Sequence, residues 1–289
     1  MNRPRDCISC LVGSRINDLK EAGIMEEGYS ALLNAISALL RKPRSEVFSL
    51  SFRVVSELSG NRDPYYEHKA KLNELAKELL ERIKDIVDWN EAELLKLAAA
   101  ANIFDTSVLG YSYDLKATKE QDLFEPPAID DSRTINWKGI KKIAYVPDNS
   151  GEIIFDLFVA TKLSSLGYEI LLVLREDPYE IDATYSEVLR HLNGSIGAIR
   201  SKWNLPPLYK AHPSNDAWRA MLDSDIVISK GIANLEGYID SGRWLENKAI
   251  FLLRAKCPVI ARALGVPRKS PVILSERRAW EASNQILEK

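Results

Sequence analysis

From Trp137 to the C-terminus, short apolar runs alternate with stretches of helical spacing, and this alternation limits the possible fold more than any other feature of the chain. Ile143–Val146, Glu169–Arg175, Asp225–Ser229 and Ala249–Leu253 read as strands, with Ile196–Ile199 as a short edge strand and Pro271–Leu274 as the last. Ile153–Leu163, Ser186–Leu192 and Asp216–Leu222 carry apolar residues at helical intervals. The order predicts an α/β fold with a mainly parallel sheet flanked by helices, a Rossmann-like three-layer arrangement. In such sheets ligands bind beyond the carboxyl ends of the strands.

The turns after these strands are chemically equipped. Asp148-Asn149-Ser150-Gly151-Glu152 joins the first strand to its helix, Asp182 follows the second, Lys230 with Asn234 and Glu236 follows a third, and Lys256 a fourth. Asp148, Asn149 and Asp182 offer two charges and one neutral oxygen, a set suited to Mg²⁺ or Mn²⁺ with positions left for water and substrate. Lys230 and Lys256 are point charges for phosphate oxygens, and the helix start at Gly151 adds backbone donors. Taken singly, an Asp-Asn pair before a helix is also an ordinary cap, and the lysines are ordinary helix-end charges. Together they predict a site for phosphomonoester hydrolysis.

The N-terminal part reads as all-helical over residues 1–112. The expected helices run from Cys7 to Leu40 with a break near Gly23, from Ser45 as cap to Leu58, from Pro64 or Tyr65 to Val87, and onward from Asn90 through the alanines to Ala101. Residues 113–135, rich in Asp and Glu around Pro126-Pro127, read as a linker with one short helix, leaving 136–289 as the α/β metal- and phosphate-binding domain. Cys7 and Cys10 have the spacing of a redox pair or of half a zinc site, which Cys257 and one of His68, His191 or His212 could complete only if folding gathers them. Two uninvolved thiols are the simpler alternative.

With 39 basic and 41 acidic residues in 289, nothing in the net charge calls for nucleic acid or an anionic membrane. No apolar run has the length of a membrane span and the first residues lack a signal-peptide core, so a soluble cytoplasmic protein is expected, of unspecified oligomeric state.

Several spaced blocks carry a family resemblance: Asp148-Asn-Ser-Gly-Glu-x-x-x-Asp156, Ser229-Lys230-Gly231-x-x-Asn234-x-Glu236 and Leu253-Arg-Ala-Lys256-Cys257-Pro258-Val259. Further towards the N-terminus lie Cys7-x-x-Cys10, Gly60-Asn-Arg-Asp63-Pro64-Tyr65 through Lys69, and Asn102-x-x-Asp105. The chain thereby resembles the metal-dependent damage-control phosphatases, first catalogued as domain of unknown function 89, and their cysteine-pair subfamily. The resemblance implies metal on Asp148, Asn149 and Asp182, and substrate contacts near Asn102, Glu152, Lys230, Asn234, Glu236 and Lys256. It implies Mn²⁺, Co²⁺ or Ni²⁺ as cofactor and small phosphorylated metabolites as substrates, including sugar phosphates and damaged nucleotide-related compounds. Catalysis would then use Asp148, Lys256 and Glu152, the last orienting a water, with an aspartyl-phosphate route through Asp148 as the variant. That route usually needs a second Asp two residues on, where this chain has Ser150. Two positions depart from the pattern: Ala101 stands where Gly is expected and Ile181 where Asn is expected. The competing classes are an S-adenosylmethionine-dependent carboxyl methyltransferase, against which the lack of a glycine-rich loop after the first strand counts, and a non-catalytic metal-binding protein.

Overall fold

The computed structural model describes residues 5–24, 26–105, 118–192, 194, 196–210 and 216–287. Five helices come first: α1 (Arg5–Glu21), α2 (Glu27–Leu39), α3 (Arg44–Ser59), α4 (Tyr66–Ile83) and α5 (Glu91–Ala101). The break at Gly23 is real, with φ +74. Gly60, also left-handed, ends α3, and its N–H bonds to the Glu57 carbonyl. The start of α3 differs from expectation. Pro43 is the N-cap and Ser45 lies inside the helix, where its N–H and Oγ both donate to Asp240 Oδ2 at 2.8 Å. A carboxylate from another element thus neutralises the positive helix end, a favourable placement for an anion. Asn90 caps α5, accepting from Glu93 N at 3.1 Å.

The α/β part runs β2 (Lys142–Val146), α6 (Glu152–Ser165), β3 (Glu169–Leu174), α7 (Tyr185–Val188), β4 (Ile196–Arg200), α8 (Asp216–Asp223), β5 (Ile226–Lys230), α9 (Ile232–Asp240), β6 (Ala249–Arg254), α10 (Pro258–Leu264), β7 (Pro271–Ser275) and α11 (Glu276–Leu287). A seventh strand, β1 (Ile129–Asp130), lies in the segment expected to be linker and pairs with β7; the short helix foreseen there is the 3-10 turn Glu120–Phe124. The linker's beginning, to residue 117, lies outside the described residues, as does His212. Sheet order is β1-β7-β6-β5-β2-β3-β4, parallel throughout except for the β6–β7 pair. The chain leaves β2 towards β3 and β4, then returns to place β5 on the other side of β2. Strand order reverses there, which is where such sheets bind ligands.

Strand alternation divides the core. Ile143, Tyr145, Ile228 and Leu252 face α4, α5 and α6, whereas Ala144, Val146, Val227 and Phe251 face α8 to α11. The alanines at 98, 99 and 101 put no bulk between α5 and its neighbours, so that helix packs closely against α6, β6 and β7. A third apolar cluster joins α1, α2 and α3, and α3 packs on α9 at the carboxyl end of the sheet. Among the described residues no helix is long and apolar enough to cross a membrane.

Candidate functional site

The site is built where the β2 turn meets the segment after β3. Ser150 N–H donates to the Ile181 carbonyl at 2.8 Å and Ala183 N–H to the Asp148 carbonyl at 2.9 Å, forming a short antiparallel bridge centred on Asn149 and Asp182. This bridge sets Asp148 beside Asp182. The β5 turn closes from the other side: Gly231 has φ +78, and a Cβ there would overlap Asp148 Oδ2. Only glycine fits, for both reasons.

Asp148, Asn149 and Asp182 line one cavity of about 310 Å³, together with Asp105 from the end of α5. Asp148 is 5 % exposed and held well above the usual carboxylate range, first by burial, then by Asp182, Glu152 and Asp105, with Arg175 opposing. Asp182 is pushed up to about 6 by burial, although Arg175 Nε donates to its Oδ2. Crowded carboxylates of this kind are the environment that a dication relieves. Asn149 contributes in a directed way. Its Nδ2 donates to Asp148 Oδ2 at 2.8 Å and to Glu152 Oε1 at 2.9 Å, which leaves the amide oxygen as the free end of the side chain. Two carboxylates and an amide oxygen are hard donors that fit Mg²⁺ or Mn²⁺. Among the described residues no three histidine, cysteine or carboxylate side chains form a metal cluster.

Behind this wall lies a fully buried polar network. Glu152 accepts from Asn102 Nδ2 at 2.7 Å as well as from Asn149, and its other oxygen takes Lys230 Nζ at 2.9 Å. Lys230 also bonds Asp156 at 2.8 Å, and Asp156 receives the Tyr145 hydroxyl at 2.7 Å. Burial pulls the Lys230 ammonium down, but Asp156 and Glu152 outweigh it and hold it above an ordinary lysine. Lys230 is therefore committed to carboxylates and does not open onto the cavity as a phosphate grip. The Gly151 amide is likewise occupied, donating to Asn73 Oδ1 at 2.6 Å, so the backbone donor expected for phosphate is already used. Asn234 Nδ2 donates to the carbonyls of Pro147 at 3.3 Å and Lys230 at 2.9 Å, tying the β2 and β5 turns together. Lys256 Nζ sits 2.8 Å from Asp105 Oδ2 and 2.8 Å from its carbonyl; burial lowers its basicity, while Asp105, Glu152 and Asp148 work against that.

The N-terminal helices close the cavity. Buried Arg15 pairs with Asp18 at 3.0 Å and with Glu180, and its guanidinium stands 5.3 Å from both the Phe52 and Tyr179 rings. Glu180, two residues before Asp182, has the strained φ of +44, and Arg15 holds it there. All three cysteines, Cys7 and Cys10 on α1 and Cys257 at the α10 N-cap, line the same cavity, and none of them is in a disulfide. Burial and then Glu236 push Cys257 up to about 11 and raise Cys10 in the same way, so both stay protonated at neutral pH. Glu236 lines the cavity too, 3.1 Å from Arg44 Nη1.

Sequence reasoning missed Asp105, Arg175, Asn73 and Arg44. Asp105 ended one of the resembling blocks and was open to notice; the others act through contacts between distant segments and leave no local signal.

Residues 4–272 match the family model described as the damage-control phosphatase ARMT1-like domain. The chain is similar to a damage-control phosphatase of Pyrococcus horikoshii, 30 % identical over 235 residues that make up 79 % of this chain and 80 % of that one. A damage-control phosphatase of Archaeoglobus fulgidus is 27 % identical over 284 residues, 90 % of this chain and 94 % of the relative. The crystal structure of a DUF89 family protein from Pyrococcus horikoshii superposes with a TM-score of 0.81 at 26 % identity, covering 96 % of this chain and 99 % of that one.

Proposed function

The chain belongs to the ARMT1-like damage-control phosphatase family, and from that premise we propose that it is a metal-dependent phosphatase removing phosphate from small phosphorylated metabolites such as sugar phosphates or damaged nucleotide-related compounds. The observation that carries the reading is the bridge between the 148–150 and 181–183 segments, which gathers Asp148, Asp182 and the free amide oxygen of Asn149 at one cavity. We assign these three as the metal ligands, with Mn²⁺, Co²⁺, Ni²⁺ or Mg²⁺ as the ion. Such an ion supplies Lewis-acid polarisation of a phosphoryl oxygen.

The chain's own residues do the rest. Lys256 is the cation assigned to the phosphoryl group because its carboxylate partner Asp105 lines the cavity, whereas the partners of Lys230, Glu152 and Asp156, lie behind the wall. Both oxygens of Glu152 are taken by Asn102, Asn149 and Lys230, so Glu152 acts as a positioning residue that fixes the Asn149 amide. Asp105, a wall carboxylate paired with Lys256, is assigned to orient an attacking water, and water is preferred to Asp148 as nucleophile because Ser150 stands where a second Asp would assist. The cysteine pair on the cavity wall supports membership of the cysteine-pair subfamily.

Replacing Asp148 by Asn removes one charge and keeps the shape. Activity on p-nitrophenyl phosphate with Mn²⁺ is expected to fall about a hundredfold or more, the scale seen when one transition-state electrostatic partner is removed. Undiminished activity in a folded Asp148→Asn protein would refute the assignment.

A further inference from the structure

Arg44, the first residue of α3, lines the cavity and is 6 % exposed. Its Nη1 stands 3.1 Å from Glu236 Oε1 and 3.9 Å from Cys7 Sγ. Its Nε and Nη2 are buried with no hydrogen-bond partner among the described residues. Those two N–H groups lie side by side on one edge of a guanidinium and match the two oxygens of a planar carboxylate. The same molecule uses that edge twice. Arg243 donates through Nε and Nη2 to Glu276 at 2.8 and 2.9 Å, and Arg278 through the same atoms to Asp131 at 2.8 and 2.9 Å. Arg44 has the fork without the carboxylate.

Two buried donors left unpartnered are unfavourable, so the wall holds a standing demand for a two-oxygen acceptor. Both nitrogens are covered, so their pairing with a ligand requires the guanidinium to turn towards the cavity that Arg44 borders. The cavity, about 310 Å³, is small enough that a ligand at Asp148 and Asp182 shares the space Arg44 borders, with Phe48, Ile232 and Val259 as an apolar surface. Because Glu236 already takes part of the charge of Arg44, a singly charged carboxylate suits the fork better than a phosphate dianion.

We propose that Arg44 is a substrate-recognition residue and that the preferred substrates are phosphomonoesters bearing a carboxylate, that is, small phosphorylated acids. This rests on the phosphatase reading.

Non-hydrolysable probes separate the two. Calorimetry on the full chain with Mn²⁺ compares phosphonoacetate, 3-phosphonopropionate and 4-phosphonobutyrate with ethyl-, propyl- and butylphosphonate. At least one carboxylate is expected to bind about tenfold or more tightly than its alkyl partner, the smallest effect of a hydrogen bond to a charged group. That ratio should fall below about threefold in Arg44→Met and also in Arg44→Lys, which keeps the charge and loses the fork. Thermal melting of both variants establishes folding. Equal binding within every pair, a ratio that survives both substitutions, or methylenebisphosphonate outcompeting every carboxylate would overturn the proposal. Failure of every phosphonate to bind a protein that binds Mn²⁺ would instead overturn the phosphate site beneath it.

Discussion

Gly231 shows how closely the site is fitted. It combines a φ of +78 with a Cβ position that Asp148 Oδ2 occupies, so Gly231→Ala must displace the carboxylate and strain the backbone. A loss of about 1–3 kcal/mol in stability is expected from overpacking alone, with kcat reduced at least as severely as in any variant that shifts Asp148. Urea unfolding and phosphatase assays check both; wild-type kcat in Gly231→Ala would contradict the fitted turn. At this scale the sequence was informative about groups that follow a strand in the same segment, and Asp148, Asn149 and Asp182 do share one cavity. It was uninformative about which groups are already engaged. The Gly151 amide and the Lys230 ammonium look available in the sequence, but Asn73, Glu152 and Asp156 occupy them from 74 to 78 positions away in the chain.

Among elements, the strands and helices of the α/β part were legible because buried parallel strands are short β-branched runs and the intervening helices keep their spacing. β1 was not. Two residues beside Pro126-Pro127 carry no periodicity, and their membership of the sheet rests on pairing with β7. That edge is held by one carboxylate. Asp131 accepts from Ser275 N at 2.9 Å, Ser275 Oγ at 2.8 Å and the Arg278 fork, joining β1 to β7 and α11. Burial raises its affinity for a proton, but Arg278 and Ser275 outweigh burial and leave it below the usual range. A carboxylate lowered on folding contributes stability that is present above the unfolded value, about 3.9, and is lost as pH falls through the folded one. Asp131→Asn should therefore be less stable than wild type at pH 7, with the gap closing towards about pH 3. Urea midpoints across that range test it, and a gap independent of pH would show that the charge of Asp131 contributes nothing.

For the whole molecule, the reversal of strand order at β2 and β5 brings the equipped turns together, and α1 and α3 roof the cavity they make. Arg15 fastens the roof to the strained segment that carries Asp182, and Asp240 of α9 fastens the start of α3, where Arg44 stands. The roof therefore shapes what enters, while the sheet end supplies the chemistry. The account depends on one divalent ion shared by Asp148, Asn149 and Asp182. Crystals soaked in Mn²⁺ and measured for anomalous scattering test this directly. One peak within about 2.0–2.6 Å of an oxygen from each of the three side chains is the predicted result, the span of oxygen-ligated hard cations. No peak there, or the only peak at Cys7, Cys10 and Cys257, would contradict it.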